Sequence, residues 1–154
     1  MRVRPRTTSG ESGTGSGVES GGTGSTVPAA SRGSTLAGRR AMLIGRAGGR
    51  PSHYGPRGIN GPIDDLLFPI HHGVLFYPGY DVLPPFVVYR ADRRDEAAFD
   101  ATATALRHRM RLLFETVPIP FRRQNGGDYA IPAMELNPQV VRPDLTGFAA
   151  HIDG

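Results

Sequence analysis

Apolar positions along this chain fall into four clusters with two different periods. The first, residues 40–44 (RAMLI), is a short apolar run stopped by Gly45, which predicts a buried strand. The second is helical: Ile63, Leu66, Leu67, Ile70 and Val74 follow the spacing i, i+3, i+4, i+7, i+11 and predict a stripe facing a core. Pro62 suits the first helical position, where its missing N–H costs nothing, and Asp64 and Asp65 suit the positive end of the helix dipole. Pro69 falls inside this pattern and predicts a kink. The third cluster, residues 82–89 (VLPPFVVY), reads as a strand with its Pro84-Pro85 pair at the beginning, where no ladder N–H is needed. The fourth opens around Asp92 and Asp95 and runs to about residue 115, with Ala98, Ala101, Ala105, Leu106, Met110, Leu113 and Phe114 on one helical face. Strand, helix, strand, helix predicts an α/β fold with a parallel sheet. Beyond Pro118 the chain reads as loop, with a turn at residues 124–127 (QNGG).

The first 35 residues carry no such cluster. Between Thr7 and Thr26, 17 of 20 residues are Gly, Ser or Thr, leaving almost no apolar surface to offset the entropy of ordering. The expected organisation is a disordered tail over residues 1–35 and a folded unit over 36–154. Charge follows the same division: residues 1–50 hold eight Arg and two Glu (+6), and residues 51–154 hold ten Arg and twelve acids (−2). The tail has no aromatic residue to stack on a base and no long basic block, so nucleic-acid binding is the weakest functional reading. The chain has no cysteine, which excludes disulfides and thiol catalysis. No apolar stretch follows Arg2, Arg4 and Arg6 as a secretory signal requires, and none approaches the roughly 20 residues of a membrane span. A cytoplasmic location is the expectation.

Chemistry concentrates in residues 46–85. Residues 46–61 form a loop rich in glycine and proline directly after the first strand, and in open α/β sheets ligands bind beyond the carboxyl ends of strands. Gly48 and Gly49 let backbone N–H groups approach an anionic or carbonyl-rich ligand. Tyr54 offers a hydroxyl donor for developing negative charge. Asn60 can hydrogen-bond but cannot carry a proton. His71 and His72 are adjacent, about 100° apart on a helix, so they do not form a metal pair and read as cap or surface residues. His53, His108 and His151 have no companion acids at ligand spacing. Asp64 and Asp65 read as helix-start charges, not a catalytic pair. Neither a Walker-type loop nor a GxGxxG fingerprint is present. From the residues alone, the reading ends at half of an α/β domain with a glycine-rich ligand loop.

The run LAGRRAMLI, then GG, then YGPRGINGPIDDLLFPIHHGVLFYPGYDVLPPFVVY resembles the flavodoxin-like NAD(P)H:quinone oxidoreductase family. That family includes bacterial NAD(P)H oxidoreductases, drug-activity modulators and potassium-efflux ancillary subunits. The likeness covers residues 36 to about 121. Its joint pattern is GG, Y-x-x-x-G-I-x-G, L-L-x-P-I-x-x-G and G-x-x-V-L-P-P. The resemblance implies a doubly wound parallel sheet and a dimeric flavoprotein. Such a protein would move a hydride from NAD(P)H through FAD or FMN to a quinone or similar acceptor. Residue by residue, it implies that Gly48 and Gly49 line the isoalloxazine ring, with Arg46 and Ala47 standing before them. It gives Tyr54 the part of stabilising charge on the reduced flavin. Asn60 takes the position of a proton-relaying histidine in some members, and Tyr77 that of an aromatic over the substrate pocket, often across a dimer interface.

Three departures from the family pattern qualify these expectations. Arg46 and Ala47 replace the usual Thr-Thr, so a hydroxyl pair gives way to a charge that could serve a phosphate. Asn60 removes a histidine relay, as in many bacterial relatives. A Gly/Ser/Thr/Arg tail stands where the family has its first strands and flavin-phosphate loop. The chain therefore reads as the C-terminal half of the fold, expected to be poorly stable alone and to hold flavin weakly. A non-catalytic remnant, or a module pairing through residues 62–80, is the alternative.

Overall fold

The computed structural model describes residues 36–153. The expected disordered tail over residues 1–35 lies outside the described residues. The first strand, β1, spans Arg40–Ala47. It runs three residues past the predicted end because Gly45 continues the ladder, aligned with Val87. A short 3₁₀ turn at Pro51–Tyr54 leads through the glycine-rich loop into helix α1, Ile63–Phe68. Strand β2 spans Asp81–Tyr89 and helix α2 spans Glu96–Arg111. Asp95 is the N-cap of α2, its carboxylate accepting the Ala98 N–H at 2.8 Å. The strands β1 and β2 pair in parallel, joined by the helical crossover, as the element order predicted.

Pro69 does more than kink the helix. Without an N–H it cannot make its i→i−4 bond, and from Pro69–Phe76 the chain continues as π-helix. The bonds of Tyr77 N–H to the His72 carbonyl (2.9 Å) and Tyr80 N–H to the Leu75 carbonyl (3.2 Å) both span five residues. The extra residue per turn rotates the face presented to the sheet. The predicted stripe is split: Ile63 and Leu67 stay half-buried, whereas Leu66, ahead of the π-helical stretch, is 49% exposed, Val74 within it is 62% exposed, and Ile70 also faces outward. Within the π-helical stretch His71 and Leu75 turn inward, and His71 is fully buried, against the expectation of a cap or surface histidine.

The proline pair also sits elsewhere than expected. Pro84 and Pro85 lie in the middle of β2, where Leu83 pairs with Met42 and Phe86 with Ile44. Two residues of β2 thus oppose one of β1, and this bulge accommodates prolines that a regular ladder would reject. The deepest apolar side chains among the described residues, Val82 and Leu83, precede it.

Helix α2 buries no side chain completely. Met110, Phe114 and Phe99 on it or just beyond it are exposed, so its predicted apolar face is only partly covered among the described residues.

The segment after Pro118 is more ordered than its loop-like sequence indicates. Tyr129–Ala130 (β3) and Glu135–Leu136 (β4) form a small antiparallel hairpin, and Phe121 bridges to Ile152. This segment folds back over α1 and its π-helical extension. Phe68, His72 and Phe76, spaced four apart, meet Phe121 and His151 with ring centroids 4.8–6.3 Å apart. Tyr129 Oη lies 2.8 Å from His151 Nδ1.

Candidate functional site

At the carboxyl ends of β1 and β2 the two strands are tied together beyond the ladder. The Ala91 N–H donates to the Ala47 carbonyl at 3.1 Å and the Arg90 N–H to the Gly49 carbonyl at 3.0 Å. The Gly48–Gly49 turn is therefore held against the exit of β2. Gly49 has little room: a Cβ there would stand 2.8 Å from His53 Nδ1 and 3.0 Å from Tyr54 Cε2. Gly48 is open, with only Asp92 Oδ1 at 3.8 Å from such a Cβ. The first glycine leaves its backbone free to approach a ligand, and the second lets the 3₁₀ turn close over it.

That turn places Tyr54 beside Tyr89, with ring centroids 5.5 Å apart at 46°. Burial, then the Asp64 carboxylate, then Tyr54 push the Tyr89 hydroxyl above its usual range. Tyr89 was missed in the sequence, although it ends a strand at the edge where ligands bind in such sheets. The loop is kept tight by Gly58, whose Cβ position lies 2.3 Å from the His53 carbonyl oxygen, and by the Asn60 N–H donating to that oxygen at 3.0 Å. Asn60 is thereby fixed through its backbone at the end of the loop, its side chain exposed.

Arg46, Ala47, Gly48, Gly49, Tyr54 and Asn60 thus share one loop cluster. Tyr77 does not. It follows the π-helical stretch, 64% exposed, near the amino-terminal end of β2. A nine-residue strand separates the two ends by roughly 25 Å. A groove of about 350 Å³ opens at Tyr77's end, lined by Phe76, Tyr80, Asp81, Val117, Ile119 and Phe121 among others.

His71 lies on the sheet-facing side of the helix with both ring nitrogens unpartnered. Burial lowers its pKa, opposed by Asp64, seven residues earlier on the same face. His72 has a buried, unpartnered Nε2, and burial with the neighbouring His151 lowers it to about 4. His151 is lowered by burial and by Arg122. Among the described residues no group of three or more His, Cys, Asp or Glu could hold a metal ion, and no helix is long and apolar enough to cross a membrane.

A crossover of parallel strands with a glycine turn at its carboxyl edge is the architecture of a flavodoxin-like half-sheet, and residues 20–110 match the model of the family described as having a flavodoxin-like fold. The chain belongs to that family. It is 51% identical over 117 residues to a Penicillium crustosum protein named ribosyldihydronicotinamide dehydrogenase-like protein traD, covering 76% of this chain and 43% of that one. It is 29% identical over 85 residues to the human ribosyldihydronicotinamide dehydrogenase (quinone), covering 55% and 37%. A crystal structure from Klebsiella pneumoniae, provisionally described as a quinone reductase, superposes with a TM-score of 0.72 at 56% identity, over 76% of this chain and 45% of that one. The chain spans less than half the length of each of these relatives.

Proposed function

We propose that this chain forms the ring-side portion of a flavin-dependent NAD(P)H:quinone-type oxidoreductase. The observation that carries this reading is the open Gly48 backbone at the carboxyl end of β1, with Tyr54 held against Tyr89 beside it. The residues fit the edge of a planar ring: a backbone surface without side chains and a phenol at one side. Arg46, Ala47, Gly48, Gly49 and Tyr54 would hold FAD or FMN there. A bound flavin supplies two-electron chemistry, accepting a hydride from NAD(P)H and passing the electron pair to a quinone-like acceptor. Tyr54 holds a hydroxyl proton at Oη from which charge at the ring edge can be stabilised. Asn60 orients without transferring protons.

Tyr77, at the far end of the sheet, serves a substrate pocket only if a second copy brings it to the other chain's glycine turn, so the reading includes a homodimer. A cytoplasmic setting goes with the NAD(P)H donor. The names of the relatives above, quinone reductase and ribosyldihydronicotinamide dehydrogenase, support the reaction class.

The test is flavin absorbance of the purified chain followed by NAD(P)H-dependent reduction of menadione. A colourless protein that neither takes up added flavin nor turns over rejects the enzyme reading for this chain. A second reading, a non-catalytic pairing module, is favoured by the exposed Leu66, Ile70, Val74 and Tyr77 along one side of the helix. A colourless chain that forms stable dimers with an intact relative would establish it.

A further inference from the structure

Two-electron reduction of a quinone by NAD(P)H takes up a proton from solvent. The donor gives a hydride and leaves as NAD(P)⁺, and the hydroquinone carries the hydride's hydrogen and the solvent proton. The loop residues assigned so far do not bring that proton in. Asn60 is an amide, arginine does not release its proton in proteins, and a phenol that gives one up must be given it back.

His53 stands where such a carrier is needed, in the 3₁₀ turn Pro51–Tyr54. Its backbone is held on both sides: its N–H donates to the Arg50 carbonyl at 2.9 Å, and its carbonyl accepts the Asn60 N–H at 3.0 Å. The imidazole is therefore mounted on a fixed support. Its Nδ1 lies 2.8 Å, and Tyr54 Oη 3.4 Å, from the position that a Gly49 Cβ would take, so both polar atoms border one small space beside Gly49. A glycine leaves that space open. His53 is exposed, whereas Tyr54 is half-buried against Tyr89, so the first reaches water and the second faces the turn. Among the described residues the His53 ring has no hydrogen-bond partner. The other four histidines lie elsewhere: His71 and His72 in the π-helical stretch, His108 on α2 and His151 at the C-terminal end. The charged groups around His53 are Arg46, Arg50 and Arg57 along the loop, Arg90 and Asp92 beyond β2, and Asp64 on α1. Asp92 is paired with Arg93 at 3.6 Å, and Asp64 acts on Tyr89 and His71.

We propose that His53 is the proton carrier of the glycine turn: it takes a proton from water and passes it to Tyr54 Oη, a transfer that Asn60 cannot perform. The proposal rests on the oxidoreductase reading above and adds a residue to it. In the step an imidazole N–H bond breaks and a Tyr54 O–H bond forms, across one bridging water, as the phenol's own proton leaves toward the acceptor oxygen. The exposed ring then recovers a proton from solvent. Imidazole suits the task because it holds and releases protons in the physiological range, which the amide, guanidinium and phenol groups of this loop do not.

One test needs neither flavin nor turnover. In the full chain with isotope-labelled histidine, the magnetic-resonance signals of the His53 ring nitrogens should titrate differently in Tyr54→Phe, while those of His108 stay as they were. The second test is menadione reduction. His53→Gln should lower kcat on the order of a hundredfold and leave KM for NADPH within about twofold. The parent's kcat should fall as alkaline solution strips the imidazole of its proton, and that fall should vanish in His53→Gln. Added imidazole should restore part of the rate to His53→Ala. His108→Gln, on the exposed side of α2, should behave as the parent does. An unchanged rate and pH profile in His53→Gln overturns the proposal. So does a loss that resides in KM, or one that imidazole does not relieve, since either marks a structural role. A parent chain that turns over no donor rejects the oxidoreductase reading, and the nitrogen signals then decide the pairing: a His53 indifferent to Tyr54→Phe overturns it, and a responsive one upholds it.

Discussion

The Asp65 carboxylate accepts the backbone N–H of Phe148 at 2.8 Å, joining the first turn of α1 to a segment 83 residues later. Gly147 makes this approach possible. It stands at φ 59°, and a Cβ there would lie 2.5 Å from Asp65 Oδ1. The bond fixes the edge of the C-terminal segment whose aromatic residues cover Phe68, His72 and Phe76. Asp65→Ala should cost about 1 kcal/mol and Gly147→Ala more, because the latter adds both steric conflict and backbone strain. Hydrogen exchange at residues 147–151 checks this: protection should fall there while the β1–β2 ladder keeps its own. Unchanged exchange in Gly147→Ala would show that the clamp contributes nothing.

The histidine pair under that segment makes stability depend on pH. His72 is lowered from 6.5 to about 4 by burial and by His151, which is lowered in turn by burial and Arg122. A histidine whose folded pKa is depressed favours folding in its neutral form. Its contribution is complete above pH 6.5 and is lost as pH falls toward 4. For His72 the loss should be on the order of 3 kcal/mol. Urea unfolding between these pH values should show the decline, and His72→Phe should flatten it. A decline of the same size in His72→Phe would place its origin elsewhere.

His71 is more deeply buried, and neither of its ring nitrogens has a hydrogen-bond partner. Leaving such nitrogens unsatisfied costs about 1–3 kcal/mol. His71→Leu should therefore raise the thermal midpoint, while His71→Gln should not. A lower midpoint in His71→Leu would mean that the imidazole is bonded through water.

The glycine loop is sterically closed at Gly58, where a Cβ would meet the backbone of His53 at 2.3 Å and of Ser52 at 2.6 Å. No side-chain rotation relieves a backbone conflict. Gly58→Ala should unfold the turn under Tyr54 and cost about 2–3 kcal/mol, whereas Gly45→Ala, with nothing near its Cβ position, should cost far less. Thermal unfolding of the two variants side by side is the measurement.

Tyr54 is the test of the chemistry. Tyr54→Phe keeps the ring against Tyr89 and removes only the hydroxyl. On the proposed reading, flavin reduction by NADPH should slow about tenfold to a hundredfold with folding unchanged. Rapid-mixing absorbance of the flavin follows this directly. A rate equal to that of the parent chain would leave Tyr54 a packing residue.

What the sequence determined by itself was local. The order of strands and helices, the opening of α2 within residues 92–95 and the glycine turn carrying Tyr54 follow from short-range period and turn chemistry, while Pro62, expected as the first helical residue, is the extended residue just before α1. Residues 46–60 lie together because they are consecutive, the end of β1 and the loop that follows it. Tertiary structure decided the rest. Pro69 turned a helix into a π-helix, and the added residue per turn rotated His71 inward and Val74 outward, which an α-helical period does not anticipate. The β2 bulge gave Pro84 and Pro85 a place only the pairing with β1 could define. Tyr89 reached Tyr54, and Phe148 reached Asp65, across separations over which no local pattern carries information. Packing against the rest of the chain set these contacts, because burial and hydrogen-bond geometry are properties of the assembled fold.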